Sequence, residues 1–186
     1  VPAFFSEAQL RIVEAACERL IPTDEDPGAA EAGAANYIDG FLGAFSFDPP
    51  HIWAGGAFSG RFGGEPGFAS FHRLTAMDEL AWRIRIEGSL GMAEREWNGP
   101  VVGLQERYRD GLAELGTDFA DAAPDEQDRR LRAAAAFTEL LYEHTCEGVY
   151  GVPEYGGNQG LVGWKYIGFE GDVQPRGYTD EEVSQP

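Results

Sequence analysis

Along most of this chain apolar residues recur every three to four positions, with polar residues filling the intervals, which is the period of a half-buried helix. In residues 6–21, Leu10, Val13, Cys17 and Leu20 share one face, and Glu7, Arg11, Glu14 and Glu18 occupy the other. Ser6 with Gln9 three residues later forms a capping-box pattern, and Pro22 stops the segment. A second helix is predicted over 31–45, where Tyr37, Ile38, Phe41 and Phe45 stand at helical spacing. A third is predicted over 75–87, with Met77, Leu80, Ala81 and Ile84 as its stripe, Trp82 and Ile86 beside it, and Arg83, Arg85 and Glu87 as polar decoration. Asn98-Gly99-Pro100 predicts the start of a fourth, because proline suits the first helical position. Its stripe is Val101, Leu104, Tyr108, Leu112 and Leu115. After an Asp/Ala turn at 118–124, Pro124 opens a short acidic helix. Residues 131–150 are the longest apolar stretch and leave few positions for solvent, so this helix is expected at the centre of a bundle. Strand signals are sparse and no internal repeat occurs. The expectation is a mainly α, single-domain helical bundle over residues 1–186.

Two segments break the pattern. Residues 46–72 are rich in glycine, proline and aromatics without a sustained period, and they carry Trp53, Phe58, Arg61, Phe62, His51 and His72. Long stretches of this kind inside a compact domain are usually functional or wrap a partner. Residues 155–171, YGGNQGLVGWKYIGFEG, hold six glycines, one Asn, four aromatics and the single lysine of the chain, Lys165. Gly156, Gly157 and Asn158 tolerate positive φ, and Trp164, Tyr166 and Phe169 offer amphipathic surface. That combination suits a recognition loop, and it also suits a tail packed on its own domain, which residue physics alone slightly favours. Residues 46–72 and 151–186 are expected as extended loop and arm segments, the last fifteen residues being polar.

Charge narrows the partners. Lys+Arg 14 against Asp+Glu 32 gives a formal net charge of −18, which disfavours nucleic acid and anionic membrane surfaces. Thirteen of the fourteen basic residues are arginine, a bias that fits either a high-salt host or a high-GC genome. No apolar run approaches the ~20 residues of a membrane helix. The chain begins at Val1 rather than Met, which suggests a processed or trimmed start with any signal out of view. Cys17 and Cys146 do not make a disulfide framework. Both are expected as buried thiols, and a single pairing between them is left open.

Catalytic patterns are missing. There is no phosphate-binding P-loop, no dinucleotide fingerprint after a strand, no nucleophile elbow, and no cysteine cluster or haem-attachment motif. The acidic turn at Asp24, Glu25 and Asp26 lacks the ligand spacing and terminal Glu of a calcium loop. His51 and His72, and likewise His144 with Cys146 two residues on, are poor metal-ligand sets. The sequence thus offers a helical body with two glycine- and aromatic-rich segments.

LIPTDEDPGAAEAG at residues 20–33, Tyr37-Ile38-Asp39, Tyr155-Gly156-Gly157-Asn158, Gly163-Trp164-Lys165 and Ile167-Gly168-Phe169 stand out as motifs. Together they resemble the gluconate 2-dehydrogenase subunit 3 family, the small subunits of FAD-dependent sugar and alcohol dehydrogenases of the glucose–methanol–choline type. Glu170 departs from the pattern, where proline is common. The resemblance implies a non-catalytic subunit that binds and stabilises a large flavoprotein and escorts it through twin-arginine export to the periplasm. FAD and the catalytic histidine would belong to that partner, and electrons would pass to a cytochrome c-type acceptor or another carrier. No cofactor or metal is expected in this chain. The residues expected at or shaping the partner interface are Trp53, Phe58, Arg61, Phe62, Tyr155, Gly156, Gly157, Asn158, Trp164, Lys165, Tyr166 and Phe169. Two other readings remain: a sugar-binding module using the aromatic loop, and a stand-alone enzyme assembled from His72, His144, Glu147 and Tyr155.

Overall fold

A computed structural model describes residues 2–52 and 73–169. The described residues form α1 (Glu7–Leu20), α2 (Ala29–Ala32), α3 (Ala34–Leu42), α4 (Ala76–Glu87), α5 (Leu104–Leu115), α6 (Pro124–Ala133), α7 (Ala135–Tyr150) and α8 (Val162–Ile167), with short 3-10 turns between them and no strand. The fold is therefore mainly α, as the periodicity predicts.

The start of α1 follows its capping signal. Ser6 Oγ accepts from Gln9 N at 3.2 Å, and Gln9 Oε1 accepts from Ser6 N at 3.0 Å. Two otherwise orphaned donors are satisfied before the helix pays any chain entropy inside it. The helix buries Ile12, Val13, Ala16 and Cys17. Helix α7 lies at the centre, in contact with α1, α2, α3, α5, α6 and α8, and its closest companion is α3. Phe137, Leu140, Leu141, His144, Thr145, Gly148 and Val149 form its buried face.

The structure corrects four details. The predicted 31–45 helix is two helices, because Gly33 takes a left-handed conformation (φ 69°) and ends α2. The 131–150 stretch also divides, at Ala134, so Leu131 belongs to α6. It is less buried than its composition implies, since Tyr142, Glu139, Glu143 and Glu147 are exposed. Pro100 does not open a helix. Helix α5 begins at Leu104 because residues 88–103 close into a loop, in which Ser89 N donates to Val101 O at 3.0 Å and Val101 N donates to Ser89 Oγ at 3.0 Å. The stripe assigned to α4 faces the wrong way: Ile86 is its buried residue and Trp82 packs on the core, while Met77 is exposed. Two apolar faces compete on that helix. The one carrying Trp82 wins, because its ring meets Phe41 edge-on with centroids 6.0 Å apart. Beside it, Arg83 lies 4.2 Å from the centre of the Phe45 ring while pairing with Glu79 and Glu87, so this arginine covers apolar surface.

Neither cysteine is in a disulfide. Cys17 is buried, and burial pushes its thiol up to about 12; Cys146 is only partly buried. The expectation of two buried thiols thus holds for Cys17 alone.

A buried carboxylate fixes the N-terminal segment. Asp39 Oδ1 accepts from Phe4 N (3.0 Å) and Phe5 N (2.8 Å), and Oδ2 accepts from Ala3 N. Three successive backbone donors converge on one side chain, which offsets the cost of burying its charge. Phe5 then packs in the core against Tyr108. Replacing Asp39 by alanine is expected to lower unfolding free energy by about 2–4 kcal/mol, since three donors lose a charged acceptor. Urea denaturation of D39A beside wild type measures it.

Candidate partner interface

The stretches that carry the resemblance lie far apart in sequence and meet in space. Helix α2 contacts α7, α8 and the turn before α8, and α3 contacts both α7 and the Pro153–Tyr155 turn. The acidic loop before α2 is closed by Glu18, whose Oε1 accepts from Thr23 N (2.7 Å) and whose Oε2 accepts from Ala30 N (3.2 Å). The far end of the region returns to this loop, where Tyr166 Oη donates to Asp26 Oδ2 at 3.1 Å.

After α7 the chain reverses over its own C-terminal turn. Asn158 is fully buried and left-handed (φ 43°), a conformation its short polar side chain tolerates. Its N–H donates to Gly148 O at 2.6 Å, its Nδ2 to Gly151 O at 2.9 Å, and its Oδ1 accepts from Gly163 N at 3.0 Å. One side chain thereby stitches the end of α7 to the start of α8. The glycines exist for backbone contact: a Cβ at Gly157 would stand 2.3 Å from Gly148 O, and one at Gly163 would stand 2.0 Å from Val149 O. Trp164 is buried, its Nε1 donating to Tyr150 O at 2.7 Å, and its ring meets Phe169 edge-on at 5.0 Å. These glycines follow a helix and are filled by the chain's own backbone. They do not offer the open strand-to-helix turn on which a dinucleotide phosphate sits.

The predicted residues therefore divide by position. Gly157, Asn158 and Trp164 are interior and shape the loop, with Gly156 (φ 95°) and the partly buried Tyr155 beside them. Lys165, Tyr166 and Phe169 lie on the exposed side of α8 and just after it, with Ile167 between them. Trp53, Phe58, Arg61, Phe62 and His72 fall outside the described residues. Asp39, Glu18 and Gly148 were missed by sequence reasoning. Asp39 lies inside a quoted motif, but a lone acid on a helix gives no sign of the segment it will hold.

The described side chains of the scattered catalytic set, His144, Glu147 and Tyr155, each meet a partner within the fold. His144 is buried, Nδ1 sharing a 2.8 Å hydrogen bond with Tyr108 Oη while the two rings stack. Burial holds the imidazole below its ordinary range, so it is neutral at pH 7. Glu147 Oε2 accepts from Tyr37 Oη at 2.6 Å. Burial, then that bond, pushes the Tyr37 phenol well up. Tyr155 meets the rings of Tyr37 and Phe41 edge-on. The described aromatic rings here contact one another.

The fold and this region define a helical domain whose distinctive motifs hold its own C-terminal turn in place and present an aromatic edge. A family model described as gluconate 2-dehydrogenase subunit 3 matches residues 7–171, and the chain belongs to that family. No curated protein and no solved structure matches it.

Two outcomes follow from this geometry. Gly163→Ala cannot be accommodated without moving α8 off α7, and a loss of more than about 2 kcal/mol is expected; thermal unfolding of G163A measures it. His144 binds its proton more weakly folded than unfolded, so its contribution is complete above the unfolded value near 6.5 and declines as pH falls below it. His51, lowered by burial, acts in the same direction. Between pH 7 and 5 stability is expected to fall with a slope of at most about 1.4 kcal/mol per pH unit for His144. In H144Q, which can still bond Tyr108, urea titrations over this range should give a flatter profile.

Proposed function

We propose that this chain is the non-catalytic small subunit of an FAD-dependent sugar or alcohol dehydrogenase, which it binds, stabilises and escorts for export to the cell envelope. The observation that carries this reading is family membership over residues 7–171. Two structural features support it. The glycine-rich motif makes internal backbone contacts that fix the mount of α8 on α7. Tyr166 and Ile167 stand exposed on a short helix, and Phe169 just after it, and that helix is itself anchored by the buried Trp164. Exposed aromatics on a rigid mount suit a subunit contact. Electron transfer to a cytochrome c-type or other acceptor would proceed through the assembled complex, with the substrate selected by the flavoprotein.

Purification of the tagged chain from its native host tests the reading. The expected result is a stoichiometric larger protein with a flavin absorbance spectrum and sugar- or alcohol-oxidising activity. Oxidation of these substrates by the isolated chain with added FAD would overturn it. In the complex, Trp164→Ala removes the anchor of α8 without touching the flavin. Its expected effect is a several-fold lower yield of complex with turnover per flavin unchanged, read by absorbance and a dye-reduction assay.

A further inference from the structure

The α8 edge is not the only exposed apolar surface. Residues 88–103 form a loop closed at its base by Ser89 and Val101. Its interior is braced by polar contacts: Arg95 Nη1 donates to Glu87 Oε2 at 2.9 Å and to Gly88 O at 3.0 Å, and Ser89 Oγ donates to Glu96 Oε1 at 3.0 Å. At the base, a Cβ on Gly103 would stand 2.3 Å from Gly88 N, so the two ends touch backbone to backbone. This well-braced loop carries its large apolar residues outward. Trp97 is 78% exposed, Leu90 63%, and Met92, Val101 and Val102 are exposed as well. Leu90 is held at φ 53°, which a branched residue adopts only when its surroundings enforce it.

Against the loop lies the outward stripe of α4. Met77 (67% exposed), Leu80, Ala81 and Ile84 face Trp97 and Val101 across a groove of about 230 Å³. Solvent gives no reason to hold such a stripe and such a loop in register. A protein contact does: aromatic residues, methionine and arginine are enriched at interface cores and other charged residues are depleted. The charge pattern agrees. In a chain of net charge −18, residues 73–102 carry four arginines against five carboxylates, and residues 97–105 carry no charge at all. Side chains of this size expose on the order of 100–200 Å² each when uncovered, so the patch approaches the ~800 Å² per partner of a stable interface.

We propose that the α4–Trp97 groove is a docking surface for an apolar helix of the catalytic subunit, with Trp97 and Met77 as its anchors. This rests on the small-subunit reading and adds the place of contact. A second copy of this chain is the weaker occupant, because two bodies of charge −18 repel. A groove flanked by two apolar ridges takes a helix by its i, i+3 and i+4 residues. The braced loop lowers the ordering cost of that contact.

The test uses the full chain and the catalytic subunit recovered, by its flavin absorbance, from the native complex. Their dissociation constant is measured by biolayer interferometry for wild type, Trp97→Ser, Met77→Ser and Arg132→Ala, the last on the exposed side of α6. Circular dichroism and melting temperature establish that each variant is folded, which the exposure of Trp97 and Met77 favours. The expected result is a Kd at least about 10-fold higher for Trp97→Ser, a smaller rise for Met77→Ser and less than about 2-fold for Arg132→Ala. Hydroxyl-radical footprinting should show Trp97 reactive in the free chain and protected in the complex. An unchanged Kd for Trp97→Ser with wild type binding normally overturns the groove and leaves the subunit reading intact. Failure of wild type to bind the flavoprotein overturns both. A wild-type homodimer that Trp97→Ser dissociates, or protection of Trp97 in the free chain, overturns the proposal by naming another occupant.

Discussion

Close backbone approach at Gly148 is the constraint on which most of this structure depends. A Cβ there would stand 2.8 Å from Ala34 Cα, so only glycine lets α3 lie against α7 at this point. The carbonyl of the same residue accepts the 2.6 Å hydrogen bond from Asn158 N. One position therefore sets both the packing of the two central helices and the return of the chain over α7. Gly157 and Gly163 extend the contact on the returning side. Such contacts gain dispersion and hydrogen bonding without side-chain entropy, but they admit no added methyl group.

Buried polar groups supply the specificity that apolar packing lacks. Asp39 gathers three backbone donors from the N-terminal segment, Asn158 satisfies three partners across the C-terminal turn, and His144 pairs with Tyr108 between them. Asp39 and Asn158 act where a segment must be fixed on the bundle, and the His144–Tyr108 pair joins α7 to α5. An unpaired group at any of these places would cost more than its bond contributes, so the alternatives are penalised rather than the native form merely favoured. The surface follows a different logic. Acidic charge is spread over the helices, while the 88–103 loop and the outer stripe of α4 stay nearly neutral and apolar. Under the docking proposal, that contrast separates the face kept in water from the face offered to the catalytic subunit.

Much of the architecture is legible in residue patterns. The capping box at Ser6 and Gln9, the proline opening α6 and the buried stripe of α5 from Leu104 to Leu115 follow from local rules that tertiary contacts reinforce. The α4 stripe is not legible, because Met77, Leu80, Ala81 and Ile84 are as apolar as Trp82 and Ile86. Periodicity marks a face without saying which of two will find a neighbour. The start of α5 is hidden for a related reason. Pro100 carries a good helix-start signal, and only the pairing of Ser89 with Val101 overrules it.

By itself, then, the sequence determined the helical class, most helix positions, the glycine-rich turn as a special segment and the family to which the chain belongs, because each is written in short-range spacing or motif. Tertiary structure alone decided that Gly157, Asn158 and Trp164 point inward to bind α7, that Asp39 holds the N-terminal segment, and that, among the described residues, Met77 of α4 and the apolar side chains of the 88–103 loop stay exposed. Those outcomes depend on which distant surfaces meet. Burial belongs to a pair of surfaces and not to either stretch of sequence.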